Sequence, residues 1–172
     1  ENKRIYNYTN KGDLVNGWEA VVNTDKITAP LNYFRAKGLD YLTILDQSGN
    51  LNLLDRKGKS VVKFKQKLKN PYHNEYYLIP DNTLNASSIV ICDSTGKITR
   101  LYFSGKIESE QPIKSNTEFY FNYSTLNGQY VFVSKNKLST FGNDFEKKLE
   151  TKLNLNSLTK PAFVYSSSQL KE

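Results

Sequence analysis

The chain has 172 residues, 38% of them hydrophobic and 24% charged, with a formal net charge of +7; these are the proportions of a folded globular domain, not of a disordered segment. No run approaches the ~18 consecutive apolar residues of a membrane-spanning helix, and no basic start followed by an apolar stretch is present, so no signal peptide is expected in this chain. The single Cys92 excludes an internal disulfide and a cysteine-based metal site.

The positive charge comes mainly from lysine, which outnumbers the four arginines Arg4, Arg35, Arg56 and Arg100. Phosphate and base forks are made mainly by arginine, so nucleic acid is not the expected partner. Methionine is absent, and the chain is expected to be an excerpt of a longer one.

In chain order, Ile5, Tyr8 and Gly12 read as the end of a repeating unit. Gly17 to Val22 reads as an outer strand whose tryptophan, Trp18, covers a gap between neighbouring units. Ile27 to Phe34 is expected to be an inner strand ending in the aromatic pair Tyr33-Phe34, with the rings packed in the core. Tyr41 to Leu45 is a short apolar run, as in a strand covered on both faces. Asp46-Gln47-Ser48-Gly49 turns it, with Asp bonding to nearby amides and Gly accepting a positive φ. Leu51, Leu53 and Leu54 form the return strand, closed by Asp55-Arg56-Lys57-Gly58.

Ser60 to Lys69 carries Lys63, Lys65, Lys67 and Lys69 on one face, read as a solvated outer edge that discourages aggregation. Further inner strands are expected at Leu68 to Tyr77, Ile113 to Phe121 and Ser157 to Tyr165, each with aromatics near its end. The loop from Pro80 to Asn85 is an insertion relative to Arg35 to Leu39. Loop tips on a scaffold carry specificity, so Asp81, Asn82 and Asn85 are candidate partner-binding residues.

The unit then recurs. Ile89 to Cys92 and Asp93-Ser94-Thr95-Gly96 repeat the first strand and turn, and Ile98, Leu101 and Gly105 follow Leu51, Leu54 and Gly58 at the same offset of 47. Cys92, inside that apolar run, reads as a small buried hydrophobe. Glu108 and Glu110 fall in a polar, linker-like stretch. Tyr130 to Val133, Leu138 and Phe141 form a looser third copy. Phe145 to Leu153 has both helical and alternating spacing, and the repeat register favours a strand. A period of 40 to 47 residues is the mark of a repeat architecture.

Catalytic chemistry is not apparent. The only histidine, His73, stands in a turn-like segment away from Cys92, and one histidine does not make a typical zinc site. No glycine loop of the phosphate-cradling type occurs. Asp46-x-Ser48-x-Asn50 opens like a calcium loop, but its glycine is misplaced and no Glu closes it. No metal and no cofactor are expected. The sequons at Asn7, Asn85 and Asn122 carry no assigned function.

Four-stranded units of this length with D-x-x-G turns are what β-propeller blades look like. Asp46 to Leu51 and Asp93 to Ile98 resemble the hairpins of the quinoprotein-like propeller superfamily. Thr28 to Phe34 through Leu53 to Lys59 also resembles the propeller-like region of large exported Bacteroidetes proteins without an assigned activity. The docking Trp that quinone enzymes place soon after the turn is replaced by Leu51 and Leu54, or Ile98 and Leu101, so the resemblance implies a scaffold and an extracytoplasmic location, and no cofactor.

The expected fold is therefore all-β: a β-propeller or partial propeller of four-stranded antiparallel blades, one domain with a half blade at 1–26, blades at 27–67, 68–112 and 113–156, and the start of another at 157–172. The expected function is a non-catalytic scaffold presenting loops to a protein partner. Two alternatives are an accessory subunit of an outer-membrane secretion or surface-motility complex, and a carbohydrate-binding module using exposed Tyr72, Tyr76 and Tyr123.

Overall fold

A computed structural model describes residues 4–18, 21–22, 25–27, 29–64, 67–68, 75–113, 118–124, 127–158 and 160. Among them there are fourteen strands and no helix. A two-stranded pair, β1 (Arg4–Ile5) with β2 (Val21–Val22), precedes three four-stranded antiparallel sheets with strands in chain order. These are β3 (Asn32–Ala36) to β6 (Ser60–Lys63), with β4 (Leu39–Leu45) and β5 (Leu51–Asp55) between them. Next come β7 (Tyr76–Ile79), β8 (Ser88–Cys92), β9 (Ile98–Tyr102) and β10 (Ile107–Glu110). The last sheet is β11 (Phe119–Ser124), β12 (Gln129–Ser134), β13 (Lys137–Phe141) and β14 (Lys147–Lys152). Each sheet is a simple meander, the strand order of a propeller blade.

The chain divides into two units, Glu1–Ser94 with Ile98–Ser109, and Thr95–Lys97 with Glu110–Glu172. In the first, the middle strands are covered on both faces. Leu45, Leu53, Ile89 and Leu101 are at most 1% exposed, so their runs are nearly unbroken in apolar character, as doubly covered strands require. Phe34, Tyr41 and Phe103 join them, with ring centroids 5.3 Å (Phe34–Tyr41) and 5.4 Å (Phe34–Phe103) apart. A smaller cluster of Ile5, Ile44 and Leu54 is capped by Trp18, whose Nε1–H donates to the Ile5 carbonyl at 3.1 Å. The tryptophan thus fills the seam between the β1–β2 pair and the first blade, the packing role expected of it. The second unit is cored by Phe119, Phe121, Tyr130, Phe132 and Phe141.

The turns follow one recipe. In Asp46–Asn50, Asp55–Lys59 and Tyr102–Lys106, the fourth residue's N–H donates to the first carbonyl, and the first N–H donates to the fifth carbonyl. The fourth residue takes a positive φ and is Gly49, Gly58 or Gly105. The third unit keeps the same bonds at Gly142–Glu146, but there the fourth residue is Phe145 at φ 64°. Its ring stacks on Tyr130 at 5.3 Å, nearly parallel at 4°, and that contact offsets a backbone conformation that costs a side chain about 1–2 kcal/mol.

Several expectations are corrected in detail. Ile27 does not begin the first inner strand; it bridges Asp46, while β3 starts at Asn32, after Pro30, which has no N–H to give a ladder. Leu68 likewise lies ahead of β7, its N–H donating to the Gly49 carbonyl at 2.9 Å. Of the outer strand expected from Gly17 to Val22, Gly17 and Trp18 lie ahead of the strand and Val21–Val22 forms it. Tyr33 is 64% exposed, because it alternates with buried Phe34 along β3. Glu108 and Glu110 belong to an outer strand and not to a linker. Glu108 accepts from Lys106 at 2.6 Å and from the Tyr102 hydroxyl at 3.0 Å, and the lysine holds its carboxyl below the usual range. Lys147–Lys152 is a strand, as the repeat register required. Of the lysine row, Lys65 and Lys69 lie outside the described residues, as do His73 and most of the segment from Ser157 to Tyr165.

Gly49 and Gly105 separate two costs of substitution. Both hold a positive φ, but a Cβ on Gly105 meets open space, whereas one on Gly49 collides with the Leu68 carbonyl oxygen. Gly105→Ala is expected to lower stability by about 1–2 kcal/mol, the conformational term alone, and Gly49→Ala by roughly 3 kcal/mol or more, since backbone cannot move aside cheaply. Urea unfolding of the two variants gives the comparison.

Candidate functional site

The β3–β4 hairpin ends in a two-residue turn, Lys37-Gly38, both at positive φ (47° and 75°). This is the twist-matched hairpin turn, which glycine accepts readily and lysine does not. The turn is held from outside: the Lys37 N–H donates to the Asn82 carbonyl at 3.2 Å. The insertion between β7 and β8 thereby docks on the tip of the preceding blade.

That loop is tightly built. The buried Ser87 hydroxyl accepts from the Asp81 N–H at 2.9 Å and donates to the Thr83 carbonyl at 2.9 Å. The Ser87 N–H closes the same turn on Thr83, and Leu84 packs against the core. Asp81, Asn82 and Asn85 are exposed on it, with one Asp81 carboxylate oxygen accepting from the Thr83 N–H. The three loop residues singled out from sequence therefore share one rigid turn. On the hairpin that Asn82 holds, Leu39 is 60% exposed although apolar. Nothing in the local pattern singles out Leu39; the signal that could have found it is its place immediately after a Lys-Gly hairpin turn.

The aromatic candidates fare differently. Tyr76 is buried, and its hydroxyl donates to the Thr43 carbonyl at 2.8 Å and lies 3.0 Å from the Thr43 hydroxyl. Burial pushes its ionisation up. The ring ties the first strand of the second blade to the middle of the first, so it is not available to a ligand. Tyr123 is also buried, against Tyr130 at 4.9 Å, with its hydroxyl donating to Asn143 at 3.0 Å. Tyr72 lies outside the described residues. The error has one physical cause: tyrosines with internal acceptors for their hydroxyls pack as core residues.

On the other flank of the hairpin is a groove of about 360 Å³ between the β1–β2 pair and the first blade. Tyr6 and Trp18 stand on one side, Leu31, Tyr33 and Asp40 on the other, and Asp55 and Arg56 at the outer turn. The Tyr33 hydroxyl donates to Asp40 at 2.8 Å, and that carboxylate raises its ionisation.

Cys92 is buried and burial pushes its thiol well above the ordinary range, which removes it as a nucleophile at neutral pH. Asp46 spends its carboxylate on the Asn50 backbone N–H and side-chain amide, each at 2.9 Å, so the calcium-like spacing is a turn. Among the described residues no group of three or more His, Cys, Asp or Glu converges on one point.

No protein-family model and no curated protein matches the chain. Among solved structures it is similar to BBS1N in a crystal structure of BBS1N in complex with ARL6DN soaked with mercury, at TM-score 0.60 and 14% identity over 88% of this chain and 47% of that one. The same complex soaked with lead gives TM-score 0.62 and 13% identity, over 90% and 47%. The chain spans about half the length of the structures it matches. The shared architecture is that of the BBS1 N-terminal β-propeller domain, and the fold is all-β and propeller-like, with four-stranded antiparallel blades.

The Tyr76 assignment has a direct check. Tyr76→Phe is expected to cost about 1–2 kcal/mol, the loss of one buried hydrogen bond, in thermal or urea unfolding, and to leave partner binding unchanged.

Proposed function

We propose that this chain is a non-catalytic β-propeller scaffold that presents the β3–β4 tip and the 80–87 loop to a protein partner. The observation that carries the reading is the backbone bond from Lys37 to Asn82. It joins two loops of adjacent blades into one preformed surface that carries exposed Lys37, Asp81, Asn82 and Asn85, with exposed Leu39 directly after the Lys37-Gly38 turn. An apolar centre with a polar rim is the anatomy of protein interfaces, and a surface fixed before binding spends less on ordering. Propellers of similar fold support it too, since BBS1N is described in complex with ARL6DN.

The non-catalytic reading is supported by the inert setting of Cys92 and by the carboxylates of Asp46 and Asp81, which serve their own turns. The resemblance of the D-x-x-G hairpins to quinoprotein-like propellers and to exported Bacteroidetes proteins supports an extracytoplasmic location. A surface or outer-membrane assembly is then the natural setting for the partner.

A photo-crosslinking residue placed at position 39 tests this in cells of the source. The expected result is one discrete adduct, with no adduct from position 61 on β6, which is exposed on the opposite edge strand of the same sheet. The adduct's protein, purified, should bind the intact chain, and Leu39→Asp should weaken that binding roughly tenfold or more, as loss of a central contact does. Equal adducts from both positions, or binding indifferent to Leu39→Asp and to a double Asp81→Ala, Asn82→Ala change, would refute the proposal.

A further inference from the structure

The groove beside the β1–β2 pair is unlike the loop face in size, lining and charge. Its ~360 Å³ is near the low end of the ~300–1,000 Å³ typical of small-ligand clefts. Two tyrosine rings stand open on its facing walls, Tyr6 at 46% and Tyr33 at 64% exposed, with Leu31 at 45% beside them. Apolar rings in a folded chain are normally covered when a neighbour can cover them, and a concentration of exposed ones marks a binding surface.

Both rings have neighbours of their own. Tyr33 is fixed by its hydroxyl on Asp40, and Tyr6 neighbours Tyr8 at 6.3 Å between centroids. Both keep exposed surface along the groove. Trp18 lines the same space, its N–H already spent on the Ile5 carbonyl, so it offers a flat apolar surface and no donor.

Charge decides among ligands. The groove carries two carboxylates, Asp40 and Asp55, and Arg56, while Arg35 lies 3.7 Å from the Asp40 oxygen that accepts from Tyr33. Acids and guanidiniums balance. A strongly anionic or cationic ligand would meet a like charge for every opposite one, with no net gain. A neutral ligand with many hydroxyls meets acceptors in the carboxylates and donors in Arg56 and the Asn7 amide, while its C–H faces lie on the open rings, which are apolar in body. That combination describes a sugar.

We infer that the groove formed by Tyr6, Trp18, Leu31 and Tyr33, with Asp40 and Arg56, binds a neutral oligosaccharide. This site is separate from the protein-binding face and does not depend on it. The tyrosines that form it are the exposed ones of the β1 and β3 segments.

Trp18, the only tryptophan, reports on the groove directly. The intact chain would be titrated with cellotriose, maltotriose, mannotriose and di-N-acetylchitobiose, with a galacturonic acid trimer as the charged control. The expected result is a saturable change in Trp18 emission with at least one neutral sugar, at a Kd of about 1 mM or tighter, and none with the acidic trimer. Tyr33→Ala should weaken binding at least tenfold, and Tyr33→Phe should retain it because the ring remains. Circular dichroism of each variant separates loss of binding from loss of fold. No response to any of the four sugars at about ten times that concentration overturns the inference. So does binding that survives Tyr33→Ala in folded protein, or a preference for the acidic trimer or for a proline-rich peptide run alongside.

Discussion

The turn from Asp46 to Asn50 is the constraint on which the first unit depends. Incoming chain pairs with it, through the Ile27–Asp46 bridge and the Gln47 N–H donated to the Lys26 carbonyl at 2.8 Å. Outgoing chain is bonded to it as well, through Leu68 on Gly49. A single five-residue turn thus fixes where one blade begins and where the chain leaves for the next. It can do so only because position 49 has no side chain: the positive φ and the close Leu68 carbonyl both demand glycine. Gly96 stands in the same relation to Ile113, whose side chain and carbonyl crowd the place where a Cβ would be. The D-x-x-G spacing is therefore a linkage between repeats as much as a hairpin.

Function follows from that linkage through rigidity. Once the first blade is set, Tyr76 ties the next one to Thr43, and the two loops at Lys37 and Asn82 meet by backbone bonding. The polar residues on them project from turns that are already closed. The exposed ion pairs, such as Arg35–Asp40 and Lys147–Glu150, add little to stability at such exposure. They keep the outer strands soluble and discourage edge pairing.

The sequence made the repeat and its turns readable because each had a local cause. Asp bonds its own turn and Gly takes the positive φ, so Asp46–Gly49, Asp55–Gly58 and the offset of 47 stood out without reference to other proteins. The third copy was faint for a stated reason: its β12–β13 connection is a two-residue turn between Ser134 and Lys137, and its outer turn uses Phe145 where the others have glycine. What could not be read locally was tertiary. Tyr76 and Tyr33 look alike in sequence, yet Tyr76 finds the Thr43 carbonyl across the sheet boundary while Tyr33 points out to Asp40. Leu39 and the groove required the fold, because their meaning depends on what fails to cover them. The 80–85 loop that carries Asp81, Asn82 and Asn85 was readable because an insertion in a repeat is visible as a break in spacing.

Native-state hydrogen exchange at the Leu68 and Gln47 amides tests most directly whether this turn holds the blades together. The account predicts that both exchange only by global unfolding, with the same denaturant dependence as the β4–β5 ladder. Exchange by local opening, orders of magnitude faster than the ladder, would mean that the blades are set independently and that the interlocking turn does not fix them.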